Sequence, residues 1–290
     1  MNNTVHSADE EQVEAYAKAL GVTPLRVQRR PASQSGISAL AWGEDPALVF
    51  LHGAQLNAHT WDGVLLHSGV PALAYDLPGH GQSARMRPED YTVSGIAEAV
   101  INQLGRDAAK PFVLVGHSFG AMVAVVIAAR RPSWVQALVL LDATPHGIGT
   151  ADDDPETLLV GTLDELVESV QERVPRRTRE SILRGVRLNA SERTDGLWEW
   201  CWDPAFKATS SRRRGEREAV WADVRRLPGP VVLVRGERSG KVSAEMVREF
   251  VAAAPRTTVL TAPGAGHNIH TEAPAWTAAL LKSVVSRAAV

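Results

Sequence analysis

Six short apolar runs constrain the fold of this chain more than any other feature of its sequence. Each run is continuous, without alternation of polar and apolar side chains, and is rich in leucine or β-branched residues. Short continuous runs are typical of strands that are buried on both faces of a sheet. We therefore predict strands at 48–51, 71–75, 112–115, 137–141, 231–234 and 257–261.

Segments with helical spacing lie between most of these strands, at 88–104, 118–130, 243–253 and 273–285. Strands that alternate with helices are typical of a mostly parallel, doubly wound sheet with helices on both faces. The sequence therefore predicts an α/β fold.

One long segment, 145–226, interrupts this alternation. It has no buried-strand pattern, but it contains a helix-compatible stretch at 162–172 and four of the chain's eight tryptophans. We predict that 145–226 is a helical cap, inserted between a first part of the core at 1–144 and a second part at 227–290. The three arginines at 212–214 are matched by many acidic residues in the same segment, so we expect a solvated surface of mixed charge there.

Composition narrows the choice of partners and location. The 290 residues include 31 Lys and Arg against 33 Asp and Glu, and this balance disfavours nucleic acid or an anionic membrane as a partner. The longest apolar run, 121–129, is far shorter than the roughly 20 residues of a membrane span. A polar, acidic N-terminus and a single cysteine, Cys201, lead us to expect a cytoplasmic protein. We also expect a monomer or homodimer that acts on a small molecule.

The sequence GHSFG at 116–120 lies between a predicted strand and a predicted helix. A sharp strand-to-helix turn strains the backbone of its central residue, and it requires residues without side chains two positions away on either side. Gly116 and Gly120 meet this requirement. The turn raises the hydroxyl of Ser118 above the sheet edge at a helix N-terminus, where N–H groups favour developing negative charge. Ser118 is the predicted nucleophile.

A serine hydroxyl is a weak nucleophile near neutral pH, so an adjacent base must take its proton. Among nine histidines, His267 lies in a glycine-rich loop between the last predicted strand and the last predicted helix, at the strand end that carries Ser118. We predict that His267 is this base. His270, three residues later, is expected at the surface.

Four motifs in order make the chain similar to proteins of the α/β-hydrolase fold: LHGA at 51–54, YDLPGHGQS at 75–83, GHSFG, and PGAGH at 263–267. The resemblance extends from residue 25 to the C-terminus. It implies an eight-stranded core, a cap after strand six, and a triad of serine, acid and histidine in chain order. It also implies structural roles for His52, Asp76 and His80 in their turns.

The acid of this implied triad departs from the commonest pattern of the family. That pattern has an aspartate shortly after the seventh strand, where this chain has Ser239 and Gly240. Other members supply the acid from the end of strand six, which is Asp142 here. A buried carboxylate is costly unless a charged or hydrogen-bonding group meets it, and a histidine N–H would do so. We predict Asp142 as the acid and keep Glu237 as the alternative.

Two backbone N–H groups are expected to form an oxyanion hole, those of Ala54 and Phe119. The substrate-binding pocket would be lined by residues of the adjoining loop and of the cap. For this role we select Gln55, His146, Trp198 and Trp202.

These residues predict a cofactor-independent serine hydrolase, without a metal site, that cleaves a carboxylic ester, lactone or thioester of a small to medium apolar molecule through an acyl-enzyme on Ser118. A serine at this position disfavours dehalogenases and epoxide hydrolases, which need a carboxylate nucleophile. Two alternatives stay open. The same triad serves carbon–carbon bond hydrolysis, lyase or cyclisation chemistry in related folds, and the fold also supplies ligand-binding receptors.

Overall fold

The computed structural model describes residues 8–32, 36–107, 111–149 and 159–288. Its strands are β1 (Val27–Arg30), β2 (Ala39–Trp42), β3 (Leu48–Leu51), β4 (Ala72–Tyr75), β5 (Phe112–His117), β6 (Val135–Leu141), β7 (Val160–Gly161), β8 (Ala190–Glu192), β9 (Trp198–Trp200), β10 (Val231–Gly236) and β11 (Thr257–Ala262). All six predicted strands are confirmed, with bounds that differ by at most two residues.

The α-helices are α1 (Ala8–Leu20), α2 (Asp62–Ser68), α3 (Val93–Asp107), α4 (Phe119–Arg130), α5 (Leu163–Arg173), α6 (Arg179–Asn189), α7 (Pro204–Ala208), α8 (Ser210–Arg213), α9 (Arg217–Val224), α10 (Ala244–Ala253), α11 (Ile269–Glu272) and α12 (Pro274–Ala288). The predicted helix at 88–104 is a 3₁₀ turn, Pro88–Asp90, followed by α3. No helix in the described ranges combines the length and the apolar character needed to cross a bilayer.

Eight strands form the main sheet of the described chain in the order β1-β2-β4-β3-β5-β6-β10-β11. Strand β2 pairs antiparallel with β1 and β4, and the other neighbouring pairs are parallel. This arrangement confirms the predicted doubly wound α/β fold. The apolar pattern predicted neither β1 nor β2: the edge strand β1 reads VQRR and is half exposed, whereas β2 reads ALAW and is buried.

Two apolar cores cover the two faces of the sheet. Side chains alternate between them along the central strands. Val49 of β3 belongs to the core that includes residues of α3, α4, α9 and α10, whereas Phe50 belongs to the core that includes residues of α1, α2 and α12. Helix α4 is buried from Gly120 to Ala128. The run at 121–129 is therefore apolar because α4 lies inside the protein.

The inserted segment, residues 145–226, contributes helices α5 to α9 and, in its described part, an antiparallel sheet in the order β7-β9-β8. These three strands are two or three residues long and mostly half-buried or exposed, so they lack the buried pattern on which strand prediction depends. Helix α5 confirms the predicted helix at 162–172. It begins with a capping box in which Thr162 and Glu165 each accept a backbone N–H of the other.

Helix α1 is attached to the core by a buried network of charges. Asp9 of α1 accepts from Arg29 at 2.8 Å and contacts Nε2 of His59 at 3.0 Å. Arg29 also donates to Asp76 at 2.7 Å, and Nδ1 of His59 lies 3.1 Å from Asp62. Burial by itself lowers the pKa of His59, but the carboxylates of Asp62 and Asp9 outweigh burial and raise it to about 9. His59 is therefore a buried cation at neutral pH.

The charge on His59 predicts how stability depends on pH. Its folded pKa is raised, so its stabilising contribution is fully present below about 6.5 and is lost as pH rises through about 9. This difference in pKa corresponds to about 3 kcal/mol. We expect His59→Gln to lower the free energy of unfolding by roughly this amount at pH 6, and by much less at pH 10. Urea unfolding of both proteins at each pH measures the difference. A difference that stays constant with pH would contradict the prediction.

Candidate active site

Ser118 occupies the sharp turn between β5 and α4, with backbone angles φ 51° and ψ −120°. A Cβ atom on Gly116 would lie 2.5 Å from the Cα of Ala121, and one on Gly120 would overlap the carbonyl oxygen of His52. The turn therefore needs glycine at both positions. Ser118 itself precedes the first residue of α4, so its hydroxyl lies at the positive end of the helix dipole.

His267 connects Ser118 to Asp142 through both of its ring nitrogens. Its Nδ1 lies 2.8 Å from a carboxylate oxygen of Asp142, and its Nε2 lies 3.1 Å from Oγ of Ser118. Because a carboxylate only accepts, Nδ1 carries the proton and Nε2 is left to accept from the serine hydroxyl. The three residues selected from the sequence thus form one chain of hydrogen bonds. Their catalytic roles stay a prediction.

The carboxylate of Asp142 is fully buried, and donors meet both of its oxygens. Oδ1 accepts the backbone N–H of Gly236 at 3.0 Å, and Oδ2 accepts the hydroxyl of Ser239 as well as Nδ1–H of His267. These bonds offset the cost of burying the charge. The side chain of the alternative acid, Glu237, is exposed and accepts the backbone N–H of Gly264 at 2.7 Å.

Gly236 also permits the loop of His267 to approach the end of β10. A Cβ atom at this position would overlap the carbonyl oxygen of Gly266. The same loop is held by the backbone N–H of Gly266, which donates to Glu272 of α11 at 2.9 Å. His267 is therefore placed by contacts on both sides, while its side chain keeps 29% of its surface exposed.

The two predicted oxyanion donors belong to segments that adjoin Ser118. Phe119 is the first residue of α4, so its N–H has no acceptor within the helix. Ala54 follows Gly53, on which a Cβ atom would lie 3.2 Å from that of Ser118. The turn that carries Ala54 therefore packs directly against the predicted nucleophile.

Two neutral histidines hold this turn. His52 accepts the N–H of Leu77 at 2.9 Å and donates to the carbonyl of Gly53 at 2.7 Å. His80 accepts the N–H of Gln55 at 3.2 Å. Burial lowers the pKa of His52 to about 4 and that of His80 to about 3, so both rings stay neutral acceptors near neutral pH.

His270 is buried, with 1% of its surface exposed, and the expectation of a surface histidine was wrong. Its ring packs between those of Trp61 and His117, because α11 turns inward directly after the loop of His267. His117 in turn donates from Nε2 to the carbonyl of His267 at 3.0 Å. Burial lowers the pKa of both His117 and His270, to about 3 for His270.

The four residues selected to line a substrate lie in three places. Gln55 and Trp202 both adjoin His80, the latter through a backbone bridge. His146 packs on Trp221, 5.3 Å between ring centroids, and its Nε2 lies 2.9 Å from Glu249. Trp198 lies in β9 and packs on the small apolar core of the inserted segment. Contact with substrate stays a prediction for all four.

Sequence reasoning missed several residues around this site. Ser239 was noted only as a position without an aspartate, whereas its hydroxyl bonds the acid. Arg213 was expected on a solvated surface, but it is 2% exposed and its guanidinium lies 4.2 Å from the ring centroid of Phe206. Charge counts could not reveal this burial, because they average over the whole segment.

Residues 48–280 match the alpha/beta hydrolase family, and the chain belongs to this family. It is 33% identical over 271 residues to the esterase Rv0045c of Mycobacterium tuberculosis, a match that covers 89% of each protein. A solved structure of that esterase has a TM-score of 0.86 at 30% identity, covering 97% of this chain and all of the other. The 2-(acetamidomethylene)succinate hydrolase of Mesorhizobium japonicum is 28% identical over 242 residues, covering 80% of this chain and 85% of that protein.

The lowered pKa values predict that four buried histidines do not titrate near neutral pH. The ring signals of His52, His80, His117 and His270 should not shift between pH 5.5 and 8, because burial keeps these rings neutral. Heteronuclear NMR of the imidazole carbons, assigned with single His→Gln variants, measures this directly. A titration midpoint above pH 6 for any of the four would contradict the prediction that these rings are neutral at pH 7.

Proposed function

We propose that this protein is a serine hydrolase that cleaves a carboxylic ester, lactone or thioester of a small to medium, largely apolar molecule. The observation that carries the proposal is the chain of hydrogen bonds from Asp142 through His267 to Ser118. Similarity to proteins named as an esterase and as a hydrolase also supports it. These names favour hydrolysis over the lyase, cyclisation and receptor alternatives.

Acylation uses both nitrogens of His267. As Oγ of Ser118 attacks the substrate carbonyl carbon, Nε2 takes the hydroxyl proton and the ring becomes a cation, which the carboxylate of Asp142 stabilises. When the tetrahedral intermediate collapses, Nε2 returns the proton to the leaving alcohol or thiol. The acyl group is then an ester of Ser118.

Deacylation repeats these steps with water. Nε2 of His267 takes a proton from a water molecule that attacks the acyl carbon, and then returns it to Oγ of Ser118 as the carboxylic acid leaves. In both halves the substrate oxygen becomes negative. The N–H groups of Ala54 and Phe119 and the N-terminus of α4 are suited to stabilise this charge, because they are fixed before the reaction begins.

The inserted segment is proposed to act as the cap that selects the substrate. It contacts the turn of Ala54 directly, since Asn189 donates to the carbonyl of Gln55 and Asn57 donates to the carbonyl of Leu188. The cytoplasmic location and the monomeric or homodimeric state stay predictions from the sequence.

The proposal predicts turnover of a short-chain ester such as p-nitrophenyl butyrate. Ser118→Ala should lower kcat by about 10⁴-fold or more, because no other group forms the acyl-enzyme. A fluorophosphonate probe should label the wild-type protein at Ser118, as peptide mass spectrometry would show. The matched control is Ser169→Ala on α5, which should keep both turnover and labelling. Turnover that survives Ser118→Ala would contradict the proposal.

The assignment of the acid predicts unequal effects of two isosteric changes. Asp142→Asn should lower kcat by about 10³- to 10⁴-fold, because an amide donates to Nδ1 and leaves the proton on Nε2, where it cannot accept from Ser118. Glu237→Gln should change kcat by less than about threefold, since this side chain accepts the N–H of Gly264 and an amide oxygen can accept it too. Steady-state kinetics of both variants decide between them, and the reverse order would transfer the role to Glu237.

A further inference from the structure

Phe206, on helix α7 of the inserted segment, contacts Phe119 directly and is connected to the turn of Ala54 through His80. It is almost fully buried. The ring of Phe119 lies edge-on to it at 5.1 Å between centroids, and that of His80 lies edge-on at 4.6 Å. The N–H of Phe119 is one predicted donor. His80 accepts the N–H of Gln55, the residue after the other donor, Ala54.

Arg213 also contacts Phe206. Its guanidinium lies 4.2 Å from the ring centroid of Phe206 and 5.4 Å from that of Phe119, both within the range of a cation–π interaction. It also donates to the carbonyl of Tyr91 at 3.1 Å and to the hydroxyl of Thr209 at 3.2 Å. A buried cation with donors engaged at two separate points is rigidly placed.

Helix α7 is itself attached to the core at its N-terminus. Asp203 caps the helix by accepting the N–H of Ala205 at 3.0 Å, and its second oxygen accepts the hydroxyl of Tyr91 at 2.8 Å. The N–H of Asp203 donates to the carbonyl of Gly79 at 2.7 Å. Phe206 is therefore fixed relative to the core three residues beyond this attachment.

We propose that Phe206, supported by Arg213, is a positioning residue that fixes the spacing between the two oxyanion donors. This inference rests on the proposed function. An oxyanion hole stabilises the transition state only when its donors lie about 2.7–3.1 Å from the developing charge. One ring that contacts the side chain of Phe119 and the neighbour of the Ala54 turn keeps both donors at a constant separation.

The inference predicts a loss in kcat rather than in substrate binding. Phe206→Leu should lower kcat for p-nitrophenyl butyrate by about ten- to hundredfold, less than the loss of a whole donor, and change KM by less than about threefold. Binding of phenylboronic acid, which forms a tetrahedral adduct with the serine, should weaken by a similar factor. The matched control is Phe112→Leu, an equally buried ring at the start of β5, which should lower stability without changing kcat.

A double-mutant cycle tests whether Phe206 acts through Phe119. Phe119→Leu and Phe206→Leu should not be additive in kcat/KM, because each removes the same ring contact. Wild-type kcat in a folded Phe206→Leu protein would overturn the inference. A rise in KM alone would overturn it too, since Phe206 would then be part of the substrate wall.

The rate of labelling by the fluorophosphonate separates this inference from the proposed function. Labelling requires the serine, the base and the oxyanion donors, but no natural substrate. If the wild-type protein turned over no ester, the proposed function would fail, and the labelling rates would still compare Phe206→Leu with wild type. Equal rates would overturn the positioning role, and a tenfold slower rate for the variant would support it.

Discussion

The register between β5, β6 and β10 is the constraint on which the predicted active site depends. His117 pairs with Leu141, and Leu141 pairs with Val234, so Ser118 and Asp142 leave the sheet side by side. Their backbones are bonded accordingly, because the N–H of Ser118 donates to the carbonyl of Leu141 at 3.1 Å. A shift of one residue in either pair would reverse the faces of the side chains and separate these groups. The register of the parallel strands is thus sufficient to place Ser118 and Asp142 next to each other, without contacts from the loops.

Backbone strain is concentrated at the same edge. Four non-glycine residues in the described ranges have positive φ, and three of them are Gln55, Ser118 and Asp142. Such conformations cost of order 1–3 kcal/mol each and persist where the surroundings over-determine them. Here they do: Asp142 bonds Gly236 and Ser239, Gln55 bonds His80, and Ser118 is enclosed by two glycine turns. Surrounding contacts thus hold Gln55, Ser118 and Asp142 in backbone conformations that are unfavourable in the absence of those contacts.

Features that depend on local sequence patterns could be predicted, whereas features that depend on contacts between distant residues could not. Buried strands and the GHSFG turn are local patterns, so the sheet and Ser118 could be predicted, and the order of elements was enough to select His267 among nine histidines. Edge strand β1 was missed because its polar residues carry no buried pattern, and the four-residue strand β2 was missed although it is buried. The burial of His270 and Arg213 was missed because it depends on contacts with residues that are distant in sequence, His117 for the former and Tyr91 for the latter. The composition and periodicity of a sequence carry no information about such packing.

The inserted segment is attached to the core at several places, and two of them bear on how the segment could move. At one place Arg184 of α6 bonds Asp62 at 2.6 Å and stacks on Tyr16 of α1. At the other, Asp203 and Phe206 of α7 bond and pack against the core around Tyr91. A displacement of the whole segment would break both, including a charge pair whose carboxylate is fully buried, which is costly to leave unpaired. It would also remove the ring of Phe206 from its contacts with Phe119 and His80. Rigid-body opening of the whole segment would therefore break contacts that adjoin the predicted active site, which disfavours such a movement in the proposed chemistry.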